Sequence, residues 1–334
     1  MIMKTQILPI TEESFKISER IIREGGVVAF PTETVYGLGA NAFDTRAVES
    51  IFKIKGRPND NPLIVHVHKD YDISSLVSCI PDYAVKLSEK FLPGPLTMVY
   101  KSRGNVSPAV SCGLDTLAVR IPAHEGAQRF LKFLDLPVAA PSANISKHVS
   151  PTAAEHVLCD FNGKIEIILD GGKCDGGIES TVLDCTGEIP VILRSGLVTR
   201  EEIAEIAGDC EVYKPKEGER VRSPGMVYKH YTPNCRTALY SYSDRQKALD
   251  FYNSEKHSGV NAYIMCDSRT AELIDADKIL CLGKTELEVA SNLYGKLREG
   301  ERLAELIIAI APEKQDGVMV GVMNRLEKAC GSKI

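Results

Sequence analysis

No stretch of the 334-residue chain holds the roughly 20 consecutive apolar residues that span a bilayer. The opening segment MIMKTQILPITEESFK lacks the long apolar core of a secretory signal, so no membrane association is expected and a cytoplasmic location is. Ten cysteines occur without a C-x-x-C pair or a Cys/His cluster at zinc spacing, which argues against a metal site or a disulfide framework. They read as reduced, mostly buried small residues. Positive charge is not in excess either. With a formal net charge of −5 the chain has no global field to attract nucleic acid, and at 6% aromatic it lacks the basic, ring-bearing face of a pure RNA binder. What remains, at 44% apolar and 25% charged, is an ordinary globular composition long enough for two domains.

Several chemical signatures are missing as well. The segment VVAFPTETVYGLGANAFD places Gly37, Gly39 and Ala42 at G-x-G-x-x-A spacing. A dinucleotide fingerprint needs its first glycine directly after a strand and an acid about 20 residues on. Here PTETVY intervenes after Phe30, and position 57 is an arginine. The GKT at Gly283 to Thr285 lacks the earlier glycine of a P-loop, that position being Lys278. No Ser/His/Asp or Cys/His arrangement falls at a recognisable spacing, so no protein nucleophile is indicated.

Through residues 1–208, short β-rich runs alternate with helical patterns, and TVLDCTGEIPVILR reads as a hairpin, predicting one α/β domain with a mixed sheet. Residues 209–236 carry prolines, glycines and a basic excess without apolar periodicity and read as a linker or functional loop. From 237 to 334, TALYSY, VNAYIMC, KILCLG and LIIAIAP alternate with helices, predicting a smaller doubly wound, Rossmann-like sheet.

Within the first domain the polar residues converge on anion chemistry. In TVYGLGANA, Gly37 and Gly39 suggest a sharp turn approaching something bulky. Lys53, Lys55 and Arg57 gather where a helical run breaks at Gly56 and Pro58; the helix dipole accounts for one such cation but poorly for Arg57 in the loop. In LAVRI, Arg120 shares a strand face with Ala118, which suggests a cavity wall. His66 in LIVHV, Arg194 at the end of VILR, and Ser142 and Asn144 in APSANIS extend the same polar set. Two arginines and a histidine on separate apolar strands suggest an anion-binding pocket.

Taken in order, PTETVYGLGANA, KGRPNDNPLIVHV, FLPGPLTMV, LAVRIP, PSANISKHVSPT, GIESTVLDC and SPGMVYKHYTP resemble the YrdC/Sua5 family in its two-domain Sua5 form. The resemblance implies a YrdC-like twisted mixed sheet with an open cavity. It implies synthesis of threonylcarbamoyl-adenylate from L-threonine, bicarbonate or CO2, and ATP, with Mg2+ arriving on the nucleotide, for the t6A modification of tRNA. Downstream tRNA threonylcarbamoyl transferase proteins are the implied partners, with tRNA itself a further candidate. An RNA-binding module of the same fold without adenylation activity is the alternative. By the same resemblance Lys55, Arg57, Asn61, Thr116, Ser142, Asn144, Ser150 and Arg194 belong to the ATP site, with Lys55, Arg57 and Arg194 neutralising phosphoryl charge. Thr34, His66, Arg120, the Ala140 backbone and Ser180 belong to the threonine pocket. His230 and Tyr231, in the linker, are expected to reach the nucleotide as part of a cover. Lys147 and Val227 stand where many relatives carry glycine and a basic residue respectively.

Overall fold

The computed structural model describes residues 4–214 and 231–331. The first unit runs β1 (Gln6–Pro9), α1 (Glu12–Arg23), β2 (Val28–Phe30), β3 (Gly37–Asn41), α2 (Thr45–Lys55), β4 (Ile64–His66), α3 (Asp82–Phe91), β5 (Leu96–Lys101) and α4 (Pro108–Ser111). It continues through β6 (Thr116–Arg120), α5 (Glu125–Leu134), β7 (Val138–Ala140), α6 (Ala154–Phe161), β8 (Ile167–Asp170), β9 (Thr181–Asp184), β10 (Val191–Arg194), α7 (Arg200–Ala207) and β11 (Glu211–Val212). Its strands form one mixed sheet in the order β1-β8-β2-β3-β7-β4-β6-β5-β9-β10-β11. As the sequence predicts, β9 and β10 pair antiparallel.

Strand alternation decides what each face carries. Val65, Met98, Leu117 and Val119 point to the face where residues of α2, α3, α6 and α7 complete the main core. On the opposite face α1 and α5 cover only the strands around β2, β7 and β8, through Phe15, Ile22, Phe130 and Leu131. The rest of that face, where Ile64, His66 and Arg120 emerge from β4 and β6, is left as the floor of a cleft. Register sets these side chains next to each other: His66 pairs with Arg120 across β4 and β6, and Arg120 with Thr97 across β5.

One expectation is corrected here. Gly37 and Gly39 do not form a sharp turn; they lie in β3, antiparallel to β2, with Gly37 lining the cleft. Glycine is needed because the Phe30 ring and Val138 occupy the space above the strand. A Cβ on Gly39 would sit 2.6 Å from Val138 Cγ1 and 2.8 Å from Phe30 Cε1.

The second unit comprises β12 (Arg236–Tyr240), α8 (Arg245–His257), β13 (Ala262–Cys266), α9 (Ser268–Ala271), β14 (Ile279–Cys281), α10 (Glu286–Leu303), β15 (Leu306–Ile310) and α11 (Val318–Cys330). Its parallel sheet has the order β12-β15-β13-β14. Residues of α10 and α11 pack on one face and residues of α8 on the other, the doubly wound arrangement expected.

The α10/α11 face also packs against the first unit: Val35, Val149 and Ile178 join the same apolar cluster as Leu293, Tyr294 and Leu297. At Gly177, φ is +69°, and a Cβ would fall 2.4 Å from both the Ala290 carbonyl oxygen and Ser291 Cα. The backbones approach that closely. Three buried or partly buried charge contacts cross the same interface, Arg298 with Asp160, His148 with Glu301, and Arg325 with Glu179.

Candidate active site

Local sequence delivers the cations to the cleft. Asp44 caps α2 by accepting from the backbone amides of Arg46 and Ala47, and Gly56 closes the helix in the left-handed conformation at φ 61°. Lys55 is therefore the last helical residue and faces inward, while Arg57 is thrown into the following loop. Lys55 is 2% exposed, and its Nζ donates to the carbonyls of Ser142 and Asn144. Its ammonium thus clamps the turn after β7. Burial, with the nearby Arg57, pushes its pKa well below the usual lysine range. Arg57 Nη2 donates to the Asn61 carbonyl at 3.1 Å, which fixes the guanidinium against its own loop in the cleft lining.

The turn itself is internally bonded. Ser142 Oγ donates to Asn144 Oδ1, and Asn144 Nδ2 donates to the carbonyls of Ile145 at 2.8 Å and His148 at 2.9 Å. Lys147 follows at φ 75°, a left-handed position that glycine takes without strain and lysine does not. Its carbonyl accepts from the Thr232 amide at 2.9 Å, tying the far end of the linker to this loop.

Across the floor, Arg194 donates through Nε and Nη2 to the Ser180 carbonyl, at 3.1 and 3.0 Å, and through Nη2 to Ser180 Oγ at 3.2 Å. Ser180 Oγ also lies 2.7 Å from Thr97 Oγ1. Arg120 is 4% exposed, and its Nη2 stands 2.8 Å from Glu33 Oε1, yet the two are misaligned. Arg120 Nη2 and both Glu33 oxygens are left buried without a hydrogen-bond partner among the described residues. A buried guanidinium with an unused N–H is suited to a carboxylate. Beside it, His66 Nδ1 must carry the proton, because its neighbour at 3.1 Å is the Ile64 carbonyl. Burial, then the Arg120 charge, depress its pKa to about 3, so at neutral pH it turns an uncharged imidazole toward the cleft.

Of the residues predicted from sequence, Lys55, Arg57, His66, Arg120, Ala140, Ser142, Asn144, Ser150, Ser180, Arg194 and Tyr231 all line this one cleft, about 750 Å3 counting its open mouth. Tyr231 reaches it with its ring packed on Tyr294, centroids 5.2 Å apart. Three others are placed differently. Thr34 is fully buried behind the lining residue Thr32, their hydroxyl oxygens 2.9 Å apart. Asn61 is buried beside the loop and meets Arg57 through its backbone. Thr116 is on Arg120's strand face but four residues back, roughly 13 Å away at strand rise, where it lines a separate small cavity. His230, like the remainder of residues 215–230, lies outside the described residues.

Sequence reasoning missed Glu33, His148 and Glu179. The first is ion-paired with Arg120 of the floor, and the other two line the cleft. It also missed Tyr294, Arg298 and Arg325, which support the cleft from the second unit. Glu179 was visible as the acid preceding Ser180 in GIESTVLD; Arg325 was visible only as one of two cations, with Lys328, in the run VMVGVMNRLEKAC.

A twisted mixed sheet whose uncovered face gathers buried arginines, a lysine-clamped turn and short hydroxyl donors defines a protein that binds an anionic small molecule in an open cavity. Family models match nearly the whole chain: one described as "Telomere recombination" (Sua5, YciO, YrdC) over residues 20–196, and one described as the threonylcarbamoyl-AMP synthase C-terminal domain over residues 198–331. The chain belongs to the Sua5/YrdC family, in its two-domain Sua5 form. It is 42% identical to a threonylcarbamoyl-AMP synthase of Pyrococcus abyssi, over 97% of this chain and 96% of that one. It is 41% identical to the Bacillus subtilis protein of the same name, over 94% and 92%. Among solved structures, P. abyssi Sua5 complexed with L-threonine superposes with a TM-score of 0.91 at 41% identity, covering 99% of both chains. Escherichia coli YciO, at 23% identity and a TM-score of 0.51, shares the fold over 57% of this chain and 95% of its own.

Proposed function

We propose that this protein is a threonylcarbamoyl-AMP synthase that joins L-threonine, bicarbonate or CO2, and ATP into threonylcarbamoyl-adenylate with release of pyrophosphate, for tRNA t6A synthesis in the cytoplasm. The observation that carries the reading is the placement of Arg120, buried and ion-paired to Glu33 but with Nη2 lacking an aligned hydrogen bond among the described residues, beside a neutral His66 in the same cleft as Lys55, Arg57 and Arg194. An amino-acid carboxylate site thereby adjoins a group of cations suited to phosphate.

In this reading Arg120 pairs with the α-carboxylate of threonine, and Ser180 and the Ala140 carbonyl meet the amine and hydroxyl. The uncharged amine adds to CO2 and loses a proton to give a carbamate. A carbamate oxygen then attacks the α-phosphorus, forming the P–O bond of the mixed anhydride as the bond to the β-phosphate bridging oxygen breaks and pyrophosphate leaves. Catalysis of this kind rests on placing the reactants in line and neutralising phosphoryl charge. Arg57 and Arg194 supply charge, while Lys55 shapes the Ser142–Asn144 turn that receives the nucleotide. The burial that depresses Arg57 and Arg194 also strengthens their attraction for a phosphate. Mg2+ would arrive as part of the nucleotide substrate and would add charge neutralisation at the phosphates beside Arg57 and Arg194, while Glu179 is engaged by Ser150, Tyr294 and Arg325. Tyr231, packed on Tyr294, supports an inner cover over the cleft, and transferase proteins that accept the unstable adenylate complete the sequence.

The test is pyrophosphate release by purified protein. It is expected only when ATP, L-threonine and bicarbonate are all present, and release that ignores threonine or bicarbonate would overturn the reading.

A further inference from the structure

Glu179 stands in the cleft wall immediately before Ser180, and three donors hold its carboxylate. Ser150 Oγ donates to Oε1 at 2.6 Å, the Tyr294 hydroxyl to Oε2 at 2.8 Å, and Arg325 Nε to the same Oε2 at 3.1 Å. Ser150 is part of the cleft, but Tyr294 lies on α10 and Arg325 on α11 of the second unit. Arg325 is completely buried, and its Nη1 also donates to the Ser195 and Gly321 carbonyls. One side chain of the second unit therefore binds both the residue before Ser180 and the residue after Arg194.

The arrangement has an electrostatic consequence. Burial opposes the charge on Glu179, but Arg325 first and then Arg194 outweigh it, so the carboxylate stays ionised in the interior. Arg194 is thus close enough to feel Glu179, yet among the described residues Glu179 is ion-paired to Arg325 and not to Arg194. Arg194 instead lies along the Ser180 backbone in the cleft floor. Remove Arg325, and the cations left acting on the buried carboxylate are Arg194, the next strongest influence on it, and the partly buried Lys328. Pairing with Arg194 would cancel the positive charge that a phosphate meets.

We propose that Arg325 and Tyr294 are positioning residues for the nucleotide: they anchor the Glu179 carboxylate on the second unit and so keep it from neutralising Arg194. The role of the second unit in the reaction is then specific, since it maintains the charge of the phosphate side of the cleft from behind. The inference rests on the proposal that ATP binds beside Arg194, and the experiment separates the two.

Calorimetry on the full chain with a non-hydrolysable ATP analogue, and separately with L-threonine, is the measurement. The wild-type protein is expected to bind both; if it does not bind the nucleotide, the functional reading falls and this inference with it. Given nucleotide binding, Arg325→Met is expected to lose about tenfold or more in affinity for the analogue while threonine affinity stays within about threefold. Arg325→Met combined with Glu179→Gln is expected to regain most of the loss, because no carboxylate charge remains to pair with Arg194. A merely structural role would weaken both ligands together and would give no rescue. Unchanged nucleotide affinity in Arg325→Met, equal weakening of both ligands, or a double variant no better than the single overturns the inference. Should Arg325→Met not fold, Tyr294→Phe carries the test, since it keeps the ring against Tyr231 and deletes only the hydroxyl. An analogue affinity lowered about threefold and restored by Glu179→Gln is then expected, and an unaltered affinity overturns the proposal.

Discussion

Arg298 of α10 and Asp160 of α6 face each other with both side chains buried, Nη1 donating to Oδ1 at 3.1 Å and Nη2 to Oδ2 at 2.9 Å. The same guanidinium donates to the Val149 carbonyl in the loop that follows the clamped turn. A single residue of the second unit therefore holds both a helix and a cleft loop of the first.

Breaking that pair leaves the buried Asp160 carboxylate, among the described residues, to the His148 ring and the Ile145 amide alone. Arg298→Ala is expected to cost about 3–5 kcal/mol of stability, read from the denaturant midpoint at pH 7, and Asp160→Asn with Arg298→Met should recover part of it. A loss below about 1 kcal/mol in Arg298→Ala would show that His148 and the Ile145 amide suffice to hold Asp160.

His148 lies between Asp160 and Glu301, with Nδ1 3.1 Å from the first and Nε2 2.8 Å from the second. Burial disfavours the imidazolium, but the two carboxylates outweigh it and raise the pKa to about 9. A folded pKa above the unfolded value near 6.5 means that this contribution is complete below about pH 6.5 and is lost as pH rises toward 9. The wild-type advantage over His148→Gln should therefore shrink across that window by on the order of 2 kcal/mol, discounted for the solvent that reaches the ring. Lys328, depressed to about 8 by burial and then by Arg325, acts in the opposite direction above pH 8, so the difference between the two proteins, not either curve alone, is the readout. A constant difference from pH 6 to 9.5 would disprove the assignment.

Arg120 makes the third prediction. If it receives the threonine carboxylate, Arg120→Ala should weaken threonine binding by about 1.5–3 kcal/mol, roughly 10- to 150-fold, measured by calorimetry. Because Glu33 Oε1 is only 2.8 Å from Nη2, the variant also strands a buried carboxylate and should melt earlier. Adding Glu33→Gln is expected to restore the melting temperature and leave threonine binding lost. Recovery of both would reassign Arg120 to a structural role.

Much of the site was legible because it is carried by short local patterns. Strand alternation in LAVRI put Arg120 and Ala118 on the face opposite Leu117 and Val119, and the core divides that way. The Gly56 break separated inward Lys55 from loop-borne Arg57, and a left-handed C-cap is the cause. Where local reading failed, a distant chain segment intervened. Gly37 and Gly39 looked like a turn because glycine usually marks one; they are strand residues made small by Phe30 and by Val138, a hundred positions downstream. Thr116, placed in the nucleotide site by resemblance, lies four residues from Arg120 along the strand and lines a separate small cavity. Lys55 was placed among the cations of the nucleotide site, and only the fold shows its ammonium donating to two carbonyls of a turn almost ninety residues away.

The amino-acid sequence by itself determined the two α/β units, the strand faces, the helix ends and the set of cations and hydroxyls available for anion chemistry, because each depends on periodicity or capping within a few residues. Only the tertiary structure decided which charges are paired. Glu179 bonds Arg325, 146 positions away, and His148 bonds Glu301, 153 away. No local pattern encodes such a pairing: it depends on how α10 and α11 dock against the cleft, and burial then makes each charge depend on the partner that docking provides.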